Sequence, residues 1–360
     1  MTKSRIPLEK FVKEYSVRNK LNEDIPVYSV TNSQGFCTEY FSKEVASQDK
    51  TTYKIVPRGY FAYNPSRINV GSVDWQKYED RVIVSPLYNV FSVSDEIDCQ
   101  YLYYFFRSNI GRQMIKAKSS GSVRDNLKIE MLKEMTIPDI SMREQQFCSS
   151  VLDKLQILIK LKFDEIKQMD ELVKARFVEM FGDPVINSKN LATKELKNVM
   201  ALKAGDFTVA SDILDEPSES NPYPCYGGNG VRGYVAEYNQ EGEYSLIGRQ
   251  GALSGNVQYV NGKFKNTEHA LLVTPLVEIN SIWLNQLLLN LDLKRYQTGA
   301  AQPGISVKNL QEIPIVCVSI DEQNQFADFV RQADKSKAVI EKSLKELETL
   351  QASLMQKYFS

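Results

Sequence analysis

A long stretch of this chain occurs twice at one fixed displacement. Leu132 to Phe181 returns as Leu310 to Phe359, 178 residues later and without a gap. Leu132, Glu134 and Ile137 match Leu310, Glu312 and Ile315; Ser141, Glu144 and Gln145 match Ser319, Glu322 and Gln323. Lys167, Leu172 and Phe181 match Lys345, Leu350 and Phe359. Any fold for this chain must place two copies of one unit. Inside each copy apolar residues recur at a 3-4 spacing. The first runs Leu152, Leu155, Ile159, Lys162, Ile166, Met169, Val173, Arg176, Met180, and the second Val330, Ala333, Lys337, Ile340, Leu344, Leu347, Gln351, Leu354, Tyr358. That period predicts two long helices with a coiled-coil seam. The seam set is Leu155, Ile159, Ile166, Met169, Val173, Ile340, Leu344, Leu347 and Leu354. Its polar intrusions differ between copies, and such positions set register at a cost in stability. A helix of about 36 residues spans roughly 54 Å.

The rest of the chain, of 360 residues in all, has room for two or three domains. No apolar run is long enough to cross a membrane, and no apolar signal core follows Met1-Thr2-Lys3-Ser4-Arg5, so a cytoplasmic location is expected. The five cysteines, Cys37, Cys99, Cys148, Cys225 and Cys317, form no CxxC pair and suit a reducing compartment. His269 is the single histidine, which argues against a zinc site or a histidine triad. The net charge of −1 excludes a polybasic coat, yet residues 102–133 hold seven Lys or Arg against Asp125 and Glu130. Phosphate binding needs only such a local patch.

Residues 1–140 read as a mixed α/β domain. Leu8 to Tyr15 has the spacing of a short helix. Val27 to Val30, Tyr53 to Val56, Val82 to Val84 and Met135 to Pro138 read as strands. Tyr101 to Lys116 reads as one aromatic helix, ended by Ser119-Ser120-Gly121-Ser122. Ser141 with Glu144 forms a capping box for a spacer helix over 141–182, which Gly182 and Pro184 stop. Residues 183–318 repeat the first domain loosely, and 319–360 form the second spacer helix. Pro26, Tyr28, Gly35 and Phe36 match Pro224, Tyr226, Gly233 and Tyr234 at an offset of 198. Tyr53 and Arg58 match Tyr244 and Arg249 at 191, and Gly121 matches Gly299 at 178. Drifting offsets mean that the domains diverge while the helices keep their length.

The common catalytic signatures are absent. There is no GxxxxGK[ST] phosphate loop, no GxSxG elbow and no Asp/Asn-Pro-Pro-aromatic tetrapeptide; Asn221-Pro222-Tyr223-Pro224 and Asn64-Pro65-Ser66-Arg67 lack the second proline in place. Pro138-Asp139 with Glu165-Ile166-Lys167 has the letters of a metal-dependent nuclease, but Glu165 and Lys167 flank a seam residue of a helix. What remains is recognition chemistry. The first domain offers Tyr28, Arg58, Tyr63, Asn64, Arg67, Asn69, Arg124 and Asn126; the second offers Tyr226, Asn229, Arg232, Arg249, Gln250, Asn256, Asn266 and Gln302. Arginine reads guanine edges and Asn or Gln reads adenine. The glycines of Gly227-Gly228-Asn229-Gly230 and Gly248-Arg249-Gln250-Gly251 let backbone approach closely. Arg58 and Arg249, read as holding one place in both copies, suit a phosphate anchor or an internal ion pair. Base readers should differ between the copies.

The chain resembles the specificity (S) subunit of Type I restriction-modification systems over essentially its full length. The resemblance rests on Leu172-Val173-Lys174-Ala175-Arg176-Phe177-Val178-Glu179-Met180-Phe181-Gly182-Asp183-Pro184, on Tyr226-Gly227-Gly228-Asn229-Gly230, and on Thr298-Gly299-Ala300-Ala301-Gln302-Pro303-Gly304-Ile305 followed by Ile313-Pro314-Ile315. Glu144-Gln145 and Glu322-Gln323 match its helix-start signature, whereas Ser122-Val123-Arg124-Asp125-Asn126-Leu127 lacks the Gln-Pro pair of the second copy. The resemblance implies an α+β chain: two mixed α/β target recognition domains separated by two long helices pairing as an antiparallel coiled coil. Each domain would contact one half of a bipartite site in double-stranded DNA. The helices would dock two modification (methyltransferase) subunits, and restriction subunits would add translocation and cleavage. The chain itself would be no enzyme and carry no cofactor. S-adenosylmethionine, ATP and Mg would sit on the partners. A helical adaptor that binds proteins without DNA, and a stand-alone metal-dependent nuclease, stay open as alternatives.

Overall fold

In the computed structural model the described residues are 4–38, 49–119, 126–299 and 303–360. They form two compact units, Met1–Phe163 with Lys342–Ser360, and Asp164–Glu341. Each unit therefore takes one globular domain and half of each long helix.

The domain of the first unit runs β1 (Arg5–Pro7), β2 (Val12–Glu14), β3 (Ser29–Thr31), β4 (Gly35–Cys37), β5 (Lys54–Pro57), β6 (Phe61–Tyr63), β7 (Val73–Trp75), β8 (Arg81–Val84), β9 (Asn89–Val93), α1 (Cys99–Arg107), α2 (Asn109–Ser119), α3 (Ile129–Lys133) and β10 (Thr136–Pro138). Helix α4 (Met142–Phe181) follows. A four-stranded antiparallel sheet, ordered β2-β9-β6-β7, carries the core, and β1 pairs with β10, β3 with β4 and β5 with β8. Two sequence expectations give way here. Leu8 to Tyr15 is not a helix: a 3-10 turn at Leu8–Lys10 leads into β2, which pairs with β9. Tyr101 to Lys116 is not one helix either. It divides into α1 and α2 at Ser108, whose ψ of 157° is extended.

The second unit runs β11 (Thr193–Glu195), β12 (Met200–Ala204), β13 (Tyr223–Gly227), β14 (Gly230–Val235), β15 (Gln240–Gly248), β16 (Val257–Asn266), β17 (Ala270–Pro275), α5 (Ser281–Asn290), α6 (Val307–Leu310), β18 (Pro314–Val316) and helix α7 (Ile320–Phe359). Its sheet has six strands in the order β12-β17-β15-β16-β13-β14, and β11 pairs with β18. Among its described strands β13 and β16 pair in parallel and the rest antiparallel, and Asp206 adds an isolated parallel bridge to Thr267. The ladders align the two domains residue by residue. The parallel bridges Val27↔Ile83 and Cys225↔Lys265 uphold the 198 offset at this hairpin. The offset of 191 fails. Phe61 faces Phe91 in β6 as Ser245 faces Val273 in β15, so the strands superpose at an offset of 184. Arg58 precedes β6 and Arg249 follows β15; they stand at opposite ends of their strands.

The long helices are built into both domains. At each helix start the serine and glutamate close a capping box: Ser141 N donates to Glu144 Oε2 at 2.9 Å and Glu144 N to Ser141 Oγ at 3.4 Å, and Ser319 N donates to Glu322 Oε2 at 3.1 Å and Glu322 N to Ser319 Oγ at 3.3 Å. The next residue, a glutamine, docks the domain. Gln145 Oε1 accepts from the backbone N–H of Asp98, and Gln323 Oε1 from that of Asn280, each at 2.8 Å. Asp98 and Asn280 are themselves the N-caps of α1 and α5. The repeated Glu-Gln pair thus joins two helix starts.

In the first unit the start of α4 lies beside the end of α7. Cys148 and Leu152 share a core with Tyr358 and Phe359, and the Phe359 ring centroid is 5.0 Å from that of Tyr101 and 5.8 Å from that of Phe105. Arg5 Nη1 donates to Phe359 O at 2.7 Å, a cation at a helix C-terminus. In the second unit the roles exchange. Phe177 and Phe181, at the end of α4, pack on Phe326, at the start of α7, with centroids 5.4 and 5.6 Å apart. Phe181 also lies 5.8 Å from Trp283. The helices run antiparallel in each unit: Gln351 meets Gln156 at 3.0 Å in the first, and Lys337 meets Asp170 at 2.7 Å in the second. Each pair uses one polar seam position, Gln351 or Lys337. Among the seam residues Leu155, Ile159, Val173 and Leu344 are buried, while Ile166, Met169, Ile340, Leu347 and Leu354 are half-buried.

Replacing Phe359 or Phe181 by Ala should cost about 3–5 kcal/mol. Leu350→Ala, at an exposed helix position, should cost at most about 0.5 kcal/mol. Urea unfolding ranks the three, and equal midpoints would mean that the helix ends are not core.

Candidate nucleic-acid interface

In the second domain three segments far apart in sequence meet at the end of β15. The tip of the β13–β14 hairpin lies flat on that end. A Cβ added to Gly248 would stand 2.3 Å from the Gly228 carbonyl oxygen, and one added to Gly228 would stand 3.0 Å from His269 O. Arg249 N donates to His269 O at 2.9 Å. From the late loop, Ile305 N donates to Arg249 O and Gly251 N to Pro303 O, both at 2.8 Å. Gly248 N donates to Asn256 O at 2.8 Å. This meeting gathers Tyr226, Asn229, Arg232, Arg249, Gln250 and Asn256. Asn229, Arg232 and Gln250 are exposed; Tyr226, Arg249 and Asn256 are half-buried. The stem of Arg232 covers Gly227, where a Cβ would meet Cδ at 2.6 Å. Tyr226 sets its ring edge-on to Phe264 at 5.6 Å. Burial pushes its hydroxyl pKa up, with Tyr234 adding to the shift. It therefore stays a neutral donor and acceptor.

The first domain repeats the arrangement with other side chains. Asn64 N donates to Ser72 O at 3.1 Å, and Leu127 N to Pro65 O at 3.1 Å. These are the counterparts of the Gly248–Asn256 and Ile305–Arg249 bonds. Pro65 accordingly holds the place of Arg249, Ser66 that of Gln250, and Leu87 that of His269. Tyr28, Asn64 and Arg67 line one cleft of about 300 Å³, together with Thr31, Asn32, Tyr53 and Tyr88. Asn64 Oδ1 accepts from Ser66 N at 3.1 Å and Ser66 Oγ at 2.9 Å, which fixes the turn. Asn126, half-buried, directly precedes Leu127. The β3–β4 hairpin is pinned from below: Phe36 N donates to the buried Asp74 carboxylate at 3.3 Å, and Gly35, at φ +66°, leaves no room for a Cβ beside it.

Several expected readers stand elsewhere. Arg58 is turned onto the break between β7 and β8, donating to Glu79 O at 3.3 Å and Tyr78 O at 3.2 Å, and pairing with Asp80 at 3.3 Å. The side chain is exposed, with its guanidinium engaged by its own domain. Tyr63 is fully buried, its hydroxyl donating to Leu127 O at 3.0 Å. Asn266 is buried in β16, its N–H donating to Asn239 Oδ1 at 2.7 Å and its Nδ2 to Ala270 O at 3.4 Å. Asn69 is exposed on the 3-10 turn at Ile68–Val70. Arg124 and Gln302 lie outside the described residues, as does Gly121. Of the basic tract, Arg107 spends its guanidinium on Asn32 O at 2.6 Å and Gly71 O at 3.3 Å, tying α1 to the hairpin. Tyr53, Tyr88, Leu87, Glu268 and His269 join the site unannounced. They reach it through strand pairing across the sheet, which no local motif records. Among the described residues no group of three or more His, Cys, Asp or Glu is placed to hold a metal ion.

Gly248→Ala forces backbone against backbone and should lower stability by about 1–3 kcal/mol. Gly251, at φ +83° with nothing within 4 Å of a Cβ, should lose only about 1 kcal/mol on the same change. Thermal unfolding of both variants checks the order, and the reverse order would refute the close approach of hairpin and strand.

The family model for the Type I restriction modification DNA specificity domain matches twice, over residues 9–170 and 188–349. The Type I restriction enzyme EcoprrI specificity subunit of Escherichia coli is 32% identical over 254 residues, 68% of this chain and 63% of its own length. This chain therefore spans somewhat under two thirds of that relative. A putative type I specificity subunit of Mycoplasma genitalium is 24% identical over 281 residues, 73% of this chain and 71% of its own. In fold, the chain is similar to a crystal structure of a Type-I restriction-modification system S subunit from M. genitalium, with a TM-score of 0.59, 18% identity and coverage of 100% of this chain and 96% of that one. A chain solved in work on complex assembly and conformational transition of the type I R-M system gives a TM-score of 0.61 at 15% identity, covering 99% and 97%. With its two copies of the matched domain and the same glutamine-docked helix start in each, the chain belongs to the Type I restriction modification DNA specificity domain family.

Proposed function

We propose that this chain is the DNA-recognition subunit of a Type I restriction-modification complex. Each domain reads one half of a bipartite target in double-stranded DNA. The observation that carries this is the duplicated convergence: the same three segments meet at the same strand end in both domains, on shared backbone bonds but with different side chains. The positions of Arg249, Gln250 and His269 in one copy are held by Pro65, Ser66 and Leu87 in the other. A common frame with unlike readers is what two unlike half-sites require, since backbone contacts position a protein and base contacts specify. Arg67 and Arg249 are assigned to DNA contact, with Asn64, Asn126, Asn229, Arg232, Asn256 and the tyrosines Tyr28 and Tyr226 around them.

The chain is itself non-catalytic in this reading. Two modification subunits bring S-adenosylmethionine and the methyl transfer, and restriction subunits bring ATP, Mg and cleavage. The cytoplasm, where the DNA lies, is its location; no helix among the described residues is long and apolar enough to cross a membrane. The long helices offer the docking face. Leu161 and Leu172 of α4 are exposed, and so are their counterparts at the 178 offset, Val339 and Leu350 of α7. Phe147 and Ile157 of α4 are also more than half exposed. We assign partner docking to these exposed apolar positions, and their duplication suits two copies of one partner.

Mobility shifts with and without a modification subunit test the assignment. The assembled chain should bind a bipartite duplex. Arg67→Ala or Arg249→Ala should weaken binding by about tenfold, each lowering the salt slope by about 1, whereas Arg58→Ala should leave both unchanged. An adaptor would bind no DNA in either state, and a nuclease would cut with magnesium and no partner; either outcome overturns the proposal. The double change Leu161→Glu with Val339→Glu should abolish co-purification of the modification subunit while helix content stays unchanged. Retained co-purification would refute the docking face.

A further inference from the structure

The one histidine of the chain stands between a carboxylate and an exposed amide at the end of β15. His269 Nε2 lies 3.1 Å from Glu268 Oε1, and Nδ1 lies 3.0 Å from Gln250 Oε1. Both ring nitrogens face oxygen. Glu268 is held in place, its N–H donating to Asp206 O at 3.2 Å, and its Oε2 is buried with no hydrogen-bond partner among the described residues. His269 is therefore the group that meets the carboxylate. Gln250 is exposed and follows Arg249. The charged groups nearby are Arg249, which follows β15 and whose N–H donates to His269 O, and Arg232 of β14 and Lys265 of β16, which with Glu268 act on the Cys225 thiol; Lys265 also pairs with Asp206 at 3.8 Å.

We infer that the Glu268–His269 pair sets which end of the Gln250 amide is presented outward, so that base preference at one position of the second half-site changes with the charge on His269. The chemistry is a matter of donors and acceptors. A charged imidazolium donates from both nitrogens. It satisfies Glu268 and holds the Gln250 carbonyl, leaving the amide NH₂ outward. A neutral ring keeps its one N–H on the Glu268 carboxylate. Nδ1 then becomes an acceptor and must take a donor, so the amide turns its NH₂ inward and its carbonyl outward. An outward NH₂ suits an acceptor such as guanine O6 or N7 or thymine O4; an outward carbonyl suits the amino group of adenine or cytosine. Histidine is the side chain whose charge changes between about pH 5 and 8. The first domain has Ser66 and Leu87 at the matching places and no such device. His269 is thus a positioning residue and Gln250 the reader.

This inference rests on the DNA-reading assignment, and one experiment separates the two. The chain, assembled with its modification subunits, is used to select from a pool of random duplexes at about pH 6 and about pH 8.5, values on either side of the histidine range. Wild type should change its preference about tenfold at a single base pair of the second half-site. Gln250→Ala should lose preference at that base pair. His269→Leu should show the same preference there at both pH values, with the first half-site intact as a measure of folding. Identical wild-type preferences at both pH values, or a pH shift that survives in His269→Leu, overturns the relay while leaving the DNA-reading assignment standing. Enrichment of no duplex at either pH overturns both.

Discussion

Burial of the last turn of each long helix in the domain that begins the other is the interaction on which this structure depends. Phe359 completes the core that holds Tyr101 and Phe105, and Phe181 completes the one that holds Trp283 and Phe326. Neither core is closed by its own stretch of chain. Each needs the capped start of the helix that leaves it and the end of the helix that arrives. The side chains involved are fully buried aromatics, among the costliest of all to remove. The helix ends therefore cannot shift without opening a core, and the gap-free repeat of Leu132–Phe181 at Leu310–Phe359 follows from that constraint.

Between the helices the domains are free to change, and the ladders show how. Arg5 and Thr193 hold one place at an offset of 188, Tyr63 and Ile247 at 184, Asp98 and Asn280 at 182, and Leu127 and Ile305 at 178. Each step is a loop of different length. Lengthening a surface loop costs little, because closure entropy grows slowly with length. The first domain also has its sheet broken where the second has the continuous strands β15 and β16. Arg58 spans that break, binding the carbonyls of Tyr78 and Glu79. Side chains at the strand ends can then be exchanged without disturbing the frame beneath.

Much of this is legible in the residues. The two helices are plain because an apolar period sustained over so many residues has no other cheap solution. Their capping boxes are short-range and stand where Ser141 and Ser319 place them. The segments of the interface are legible too, by their glycines. What the sequence hides is pairing at a distance. Leu8, Phe11 and Val12 imitate one face of a helix, but Val12 is claimed by β9, and tertiary pairing outweighs local spacing. Arg58 and Arg249 look equivalent because they are alike in type and near strands. Only the bonds from Leu127 to Pro65 and from Ile305 to Arg249 reveal which residue stands where. His269 is conspicuous as a lone histidine and Glu268 precedes it, yet its neighbour Gln250 becomes visible only when β15 and β17 are paired.

In the proposed function the helix pair acts as a spacer of fixed length between two independent readers. A matched heptad added to both long helices tests it most directly. It lengthens the pair by about 10 Å, at about 1.5 Å per residue, or about 3 bp at about 3.4 Å per base pair. Methylome sequencing of cells carrying the complete system with the lengthened chain should report both half-sites unchanged and the unread spacer about 3 bp longer. A changed half-site, or an unchanged spacer, would contradict the account.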